Sequence, residues 1–180
     1  MVAELISVGT EILLGNIVNT NAAYLAEKCA LLGLSLYHQS VVGDNEARME
    51  DTIRRALERS DVVILTGGLG PTKDDLTKEV TAKVFKKALC EDAHTKERIM
   101  EFFQKIHNGE KITENNWKQA LIPEGAIIVE NQNGTAPGLI VIGDEGSGYE
   151  GKRAILIPGP PNECIPMFET QIAPYLSDLQ

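Results

Sequence analysis

Basic residues are scarce in this 180-residue sequence: 17 Lys and Arg stand against 26 Asp and Glu, a formal net charge of -9. Neutralising a nucleic-acid backbone takes clustered Lys and Arg, so this balance argues against a nucleic-acid partner. A small phosphorylated ligand is still possible, held by backbone N–H groups, helix N-termini or a metal ion. Cysteine is scarce as well. Cys29, Cys90 and Cys164 are odd in number and far apart, which speaks against a disulfide framework or a CxxC metal site and fits a reducing, cytoplasmic compartment. No stretch approaches the roughly 20 apolar residues of a membrane span. The start, MVAELISVGTEILLG, has an acidic residue where a secretory leader wants basic ones. Internal repeats and low-complexity tracts are missing too. What is present, 43% hydrophobic and 24% charged residues, suits one globular domain over 1–180 with a single substantial core.

Strand-like and helix-like segments alternate, which predicts an α/β fold: three layers, with a mostly parallel sheet between helices. Leu5 to Val8 reads as a first strand. Asn19 or Thr20 can cap a helix with Ala22, Leu25, Ala26, Cys29 and Leu32 inward and Gly33 as its stop. Leu34 to Val42 reads as a second strand, and Asn45 as the cap of a helix carrying Met49, Ile53, Ala56 and Leu57. Val62 to Leu65 is a continuous apolar run of the kind buried on both faces of a parallel sheet. It leads into a helix carrying Leu76, Val80, Val84 and Ala88. Ile99, Phe102, Phe103 and Ile106 mark another helix, and Asn115 to Leu121 a short turn before Pro123. Ala126 to Val129, Gly138 to Ile142 and Ala154 to Ile157 are further strand candidates, the last two forming a small hairpin near the C-terminus around a mobile GDEGSGYEGK loop. Asn162 to Leu179 reads as one or two closing helices, with Pro166 and Pro174 near their first turns.

Ligands of open parallel sheets sit at the C-terminal strand ends. The residues there are Gly9, Thr10, Glu11, Gly15 and Asn19 after the first strand, Gly43 and Asp44 after the second, Thr66 to Asp75 after the third, and Pro158, Gly159, Pro160, Pro161, Asn162 and Glu163 after the last. Gly67, Gly68, Leu69, Gly70, Pro71 and Thr72 put three glycines between a buried strand and a helix, where N–H groups can face a phosphate or diphosphate. The same glycines can equally serve only a tight turn. Thr72 stands where a Walker A loop requires glycine. Asp74 and Asp75 can cap the next helix or, one of them with Asp44 or Glu11, ligate Mg²⁺ or a similar hard cation. Lys73 can offset phosphate charge. Asn133, Gly134, Thr135 and Pro137 offer a rigid backbone edge near the ligand. His38, His94 and His107 have no metal-ligand spacing, and Trp117 is either a core anchor or a cap over a base.

In order along the chain, GTEILLG, NTNAAYLA, VVGDN, TGGLGPTKDDLT, NGTAPG and LIPGPPNE resemble the N-terminal domain of the CinA (competence- and damage-inducible) family of the molybdopterin-binding superfamily. The resemblance implies a mostly parallel sheet, homo-oligomerisation and a pocket built from the strand-end loops. Relatives that make molybdenum cofactor carry a GGTG loop with a following acid and a second aspartate after the preceding strand. These match Gly67, Gly68, Leu69 and Gly70, then Asp75, and Asp44, with Leu69 in place of the loop threonine. For this family the resemblance implies metal-dependent hydrolysis of ADP-ribose and similar diphosphates to AMP and ribose 5-phosphate. Mg²⁺, Mn²⁺ or Co²⁺ would be the cofactor, and Asp44 and Asp75 the metal ligands or water-activating groups. Full-length members add a C-terminal amidase domain, for which 180 residues leave no room. Two other readings stand beside this one: adenylyl transfer onto molybdopterin, and a nucleotide-binding module without chemistry.

Overall fold

The computed structural model describes residues 1–106 and 111–180, so His107 lies outside the described residues. A six-stranded sheet runs in the order β2-β1-β3-β8-β7-β6, formed by β1 (Val2–Val8), β2 (Ser35–Val42), β3 (Val62–Thr66), β6 (Ile127–Val129), β7 (Gly138–Ile142) and β8 (Arg153–Ile157). β1 pairs parallel with β2 and β3, and β3 with β8; β7 is antiparallel to both β8 and β6.

Alternation along β3 explains the three layers, because successive side chains of a strand point to opposite faces. Val63 and Leu65 join Met49, Ile53, Leu57, Val80 and Val84 on one face, where α3 (Glu46–Arg59) and α4 (Thr77–Val84) pack. Val62 and Ile64 join Leu25, Cys29, Cys164, Phe168 and Ile172 on the other, beneath α2 (Thr20–Leu31) and α7 (Pro161–Met167). Both caps read from the sequence are present. Asn19 accepts from the N–H of Ala22 at 3.2 Å and Asn45 from that of Arg48 at 3.0 Å, each satisfying a donor the first helical turn leaves unpaired.

Several expectations are corrected. α4 ends at Val84 rather than Ala88: Lys86 adopts a left-handed φ of 56°, and the chain turns into β4 (Leu89–Glu91), which pairs with β5 (Leu121–Pro123) in a separate antiparallel sheet. The 143–152 loop is crossed by hydrogen bonds of its own. The Gly143 N–H donates to Lys152 O at 2.9 Å and the Gly151 N–H to Gly143 O at 3.1 Å, and the Tyr149 ring lies 6.0 Å from the Phe85 ring. Pro166 is interior to α7, which starts at Pro161. The N–H that proline lacks would have gone to the carbonyl of Asn162, and Asn133 Nδ2 donates to that carbonyl instead at 2.7 Å. A π-helical segment, Phe168–Ile172, follows and leads into α8 (Ala173–Asp178). α1 (Thr10–Leu13), α5 (Ala93–Ile106), α6 (Glu114–Trp117) and a turn of 3-10 helix at Lys118–Ala120 complete the described elements. Trp117 neither anchors the core nor caps the strand-end cavity; it is half-buried with Lys96 Nζ 5.2 Å over its ring. Among the described residues no helix is long and apolar enough to cross a membrane.

Candidate ligand site at the strand ends

The strand-end loops enclose a cavity of about 670 Å³, a size usual for small-molecule sites. Its wall includes Gly9, Glu11, Asn19, Asp44, Gly67, Gly68, Leu69, Gly70, Pro71, Asp75, Asn133, Gly134, Pro158, Gly159, Pro160, Pro161 and Glu163.

The glycine loop has a structural explanation as well as a ligand-facing one. Gly67 has φ 91° and Gly68 φ 69°, and a Cβ on them would overlap the Val8 carbonyl and the Thr77 hydroxyl respectively. Glycine is therefore required by backbone conformation and by close approach. Gly67 N–H donates to Ile157 O at 3.0 Å, and Thr77 Oγ1 donates back to Gly67 O at 2.9 Å. Among the described residues, nothing accepts from the N–H groups of Gly68, Leu69 and Gly70, all on the cavity wall.

The two aspartates are each held by one oxygen. Asp75 Oδ2 accepts from the Thr72 N–H at 3.0 Å and the Thr72 hydroxyl at 2.7 Å, and Asp44 Oδ2 accepts from the Thr10 hydroxyl at 3.2 Å. Among the described residues, no donor reaches the second oxygen of either. Asp75 and Asp74 do not cap α4, which begins at Thr77 with Leu76 before it and no side-chain cap.

Five expected residues are not brought to the wall. Thr10 and Thr72 turn their hydroxyls to the aspartates, Gly15 closes the turn after α1 by donating to Ile12 O, Asp74 is exposed, and Asn162 offers its carbonyl to Asn133. Lys73 is exposed and absent from the wall. Lys118 is the cation near the loop: its ammonium donates to the carbonyls of Thr72, at 2.7 Å, and Asp75. Lys78, 7% exposed, donates to Lys118 O at 2.5 Å, and burial pushes its ammonium down to about 8. His94 makes a surface contact with Glu130 at 2.7 Å.

Sequence reasoning missed Ile12, Ile17, Val18, Asn21, Phe102 and Gln119 as wall residues. Asn21, the second residue of the helix that Asn19 caps, donates to Gly159 O at 2.7 Å. Phe102 and Gln119 come from the 93–120 helical segment, whose periodicity marks a helix without saying where it packs. The composition of the wall decides its chemistry. Glu11, Asp44, Asp75 and Glu163 line it, and no Lys, Arg or His among the described residues does. Nor do three or more His, Cys, Asp or Glu come together there as a complete protein-only metal site.

Comparison with known proteins gives the family. Residues 4–178 match the model of the probable molybdopterin binding domain. A CinA structure from Thermoplasma acidophilum, of unknown function, is 37% identical, covers 95% of both chains and superposes with a TM-score of 0.80. The chain belongs to the CinA family. A CinA-like protein of Kosmotoga olearia is 54% identical over all 180 residues, and the chain spans 42% of that protein's length. The tungsten cofactor synthesizing protein MoaB of Pyrococcus furiosus, 18% identical over 99% of this chain and 94% of that one with a TM-score of 0.62, shares the fold.

Proposed function

We propose that this CinA-family domain hydrolyses nucleoside diphosphate sugars, ADP-ribose foremost, to AMP and ribose 5-phosphate with a divalent cation. The observation that carries the reading is the cavity wall: three unpaired backbone N–H groups beside four carboxylates and no basic side chain. N–H groups at a strand-to-helix turn suit phosphate oxygens. The carboxylates repel the same anion unless a cation stands between them, so diphosphate binding and metal binding are linked. Asp44 and Asp75 fit that cation, each with one oxygen anchored and one free. Two carboxylates plus substrate phosphates and waters is the pattern Mg²⁺ favours over an all-protein cage. When bound, such an ion neutralises charge on the phosphates and lowers the pKa of a bound water.

The chain's own part is to orient. The loop N–H groups fix the diphosphate, Thr10 and Thr72 hold the aspartates, and Lys118 braces the loop from behind. The oxygen of water bonds to one phosphorus as the bridging P–O bond breaks; the water gives up its proton to solvent, and the departing phosphate oxygen takes up charge that the loop N–H groups would stabilise. Asp75→Asn keeps a carbonyl oxygen as the turn's acceptor but removes the negative charge that a cation needs. It is expected to lower kcat/KM for ADP-ribose at least about 100-fold, in line with loss of one electrostatic stabiliser. Unchanged turnover would remove Asp75 from this role.

A second reading starts from the family description, molybdopterin binding, and adds to it adenylyl transfer onto the bound pterin phosphate. It predicts simultaneous binding of ATP and the pterin, which calorimetry on the same protein tests.

A further inference from the structure

The part of the wall formed by Asn133, Gly134 and Glu163, joined to the glycine loop where Gly159 packs against Gly67, has the reverse hydrogen-bonding character, and this follows from its amide assignments. Asn131, 4% exposed, spends both amide hydrogens inside the protein, on Ala136 O at 2.9 Å and on Glu163 Oε1 at 2.6 Å, while its Oδ1 accepts from the Asn133 N–H at 3.0 Å. Glu163 is thereby pinned by one oxygen, and its Oε2 has no partner among the described residues. Gly134 makes room for it, since a Cβ there would overlap the carboxylate. Partial burial pushes the Glu163 carboxyl above the usual range, the mark of a carboxylate short of solvent and of donors. Asn133 is oriented by its bond to Asn162 O. That bond fixes one amide hydrogen and leaves the other, with Oδ1, for the cavity. Pro158, Pro160 and Pro161 on the same wall offer no N–H.

We infer that Glu163 and Asn133 form a sugar-hydroxyl subsite that reads a ribose cis-diol of the ligand whose diphosphate lies on the glycine loop; the inference rests on the function proposed above. Hydroxyls both donate and accept. A carboxylate beside a primary amide matches a vicinal pair, with one hydroxyl donating to Glu163 and the other exchanging bonds with Asn133. An exocyclic amine only donates and would leave the Asn133 N–H unmatched. The same carboxylate repels a sugar bearing a phosphate at that position, so the subsite selects unphosphorylated riboses, the logic by which an acidic residue separates ribose from its 2′-phosphate in dinucleotide folds.

The test is calorimetric binding, with Mg²⁺, of ADP-ribose whose bridging oxygen is replaced by methylene, so that no turnover occurs. It is compared with the same compound lacking the 2-hydroxyl of either ribose, and with the compound bearing a 2′-phosphate on the adenosine ribose. In the unmodified protein one deoxy compound is expected to bind at least about tenfold more weakly, as for loss of a hydrogen bond to a charged group. Glu163→Gln should reduce that ratio to about threefold or less, the worth of a neutral bond. It should also bind the 2′-phosphate more tightly than the unmodified protein does, a gain that mere damage cannot produce. Asn133→Ala should shrink the deoxy ratio independently. Equal binding of all sugars by the unmodified protein, or a deoxy ratio unchanged in both variants, overturns the subsite while leaving the diphosphate reading intact. Failure of the parent compound to bind at all overturns both.

Discussion

At the scale of single residues, the two perturbed groups near the site make opposite predictions. Glu163 has its folded-state pKa raised by burial. The folded protein therefore holds that proton more tightly than the unfolded chain, and the group's contribution to stability is present below its unfolded value and lost as pH rises through the folded one. Glu163→Gln removes the ionised form. It should raise the melting temperature relative to the unmodified protein at pH 8, with the gain vanishing toward pH 4; a gain that grows on acidification would refute the burial explanation. Lys78 is the mirror case. Its ammonium is pushed down to about 8 by burial, so the unfolded chain binds more protons between pH 8 and the ordinary lysine range, and Lys78 adds stability as pH rises through that window. Comparing denaturation midpoints of the unmodified protein and Lys78→Met at pH 7.5 and 9.5 checks the sign: the difference should move in favour of the unmodified protein at the higher pH.

The glycine loop and its neighbours make the element-scale predictions. Gly68→Ala forces a left-handed φ of 69° on a residue with a Cβ and drives that Cβ into the Thr77 hydroxyl. A cost of about 1–2 kcal/mol from the backbone alone, with more from the overlap, should appear in urea unfolding together with loss of turnover. Asn45→Ala removes the acceptor that caps α3 and should cost about 1 kcal/mol in the same unfolding measurement. The elements most legible in the sequence were those whose local rules agree with their tertiary role. The apolar run at Val62–Leu65 could only be a doubly covered strand, and Asn19 and Asn45 stood where helices needed acceptors. β4 and β5, three residues each, are too short to show any alternation. The end of α4 turns on one left-handed residue, Lys86, whose sequence carries no stop signal.

For the whole molecule, the sheet topology brings four separated loops to one end, and that convergence was readable because strand ends in parallel sheets point the same way. What the sequence could not carry were contacts set by long-range packing. Asn131 meets Glu163 across 32 positions, Lys118 reaches Thr72 across 46, and the 93–120 segment delivers Phe102 and Gln119 to the cavity. Spacing along the chain contains none of these. The acidic wall is likewise a property of the assembled cavity: the individual acids are dispersed between Glu11 and Glu163, and the proposed necessity of a cation for an anionic ligand rests on their gathering with no basic wall residue among the described ones.

That necessity is the central claim, and turnover of ADP-ribose by the purified protein, with Mg²⁺, Mn²⁺ or Co²⁺ and with EDTA, tests it most directly, with AMP followed by chromatography. AMP and ribose 5-phosphate should form in equal amounts with at least one of these ions and cease with EDTA. Turnover that persists in EDTA would contradict the linkage of metal to diphosphate at the acidic wall, and no AMP with any of the ions would contradict the hydrolase reading itself.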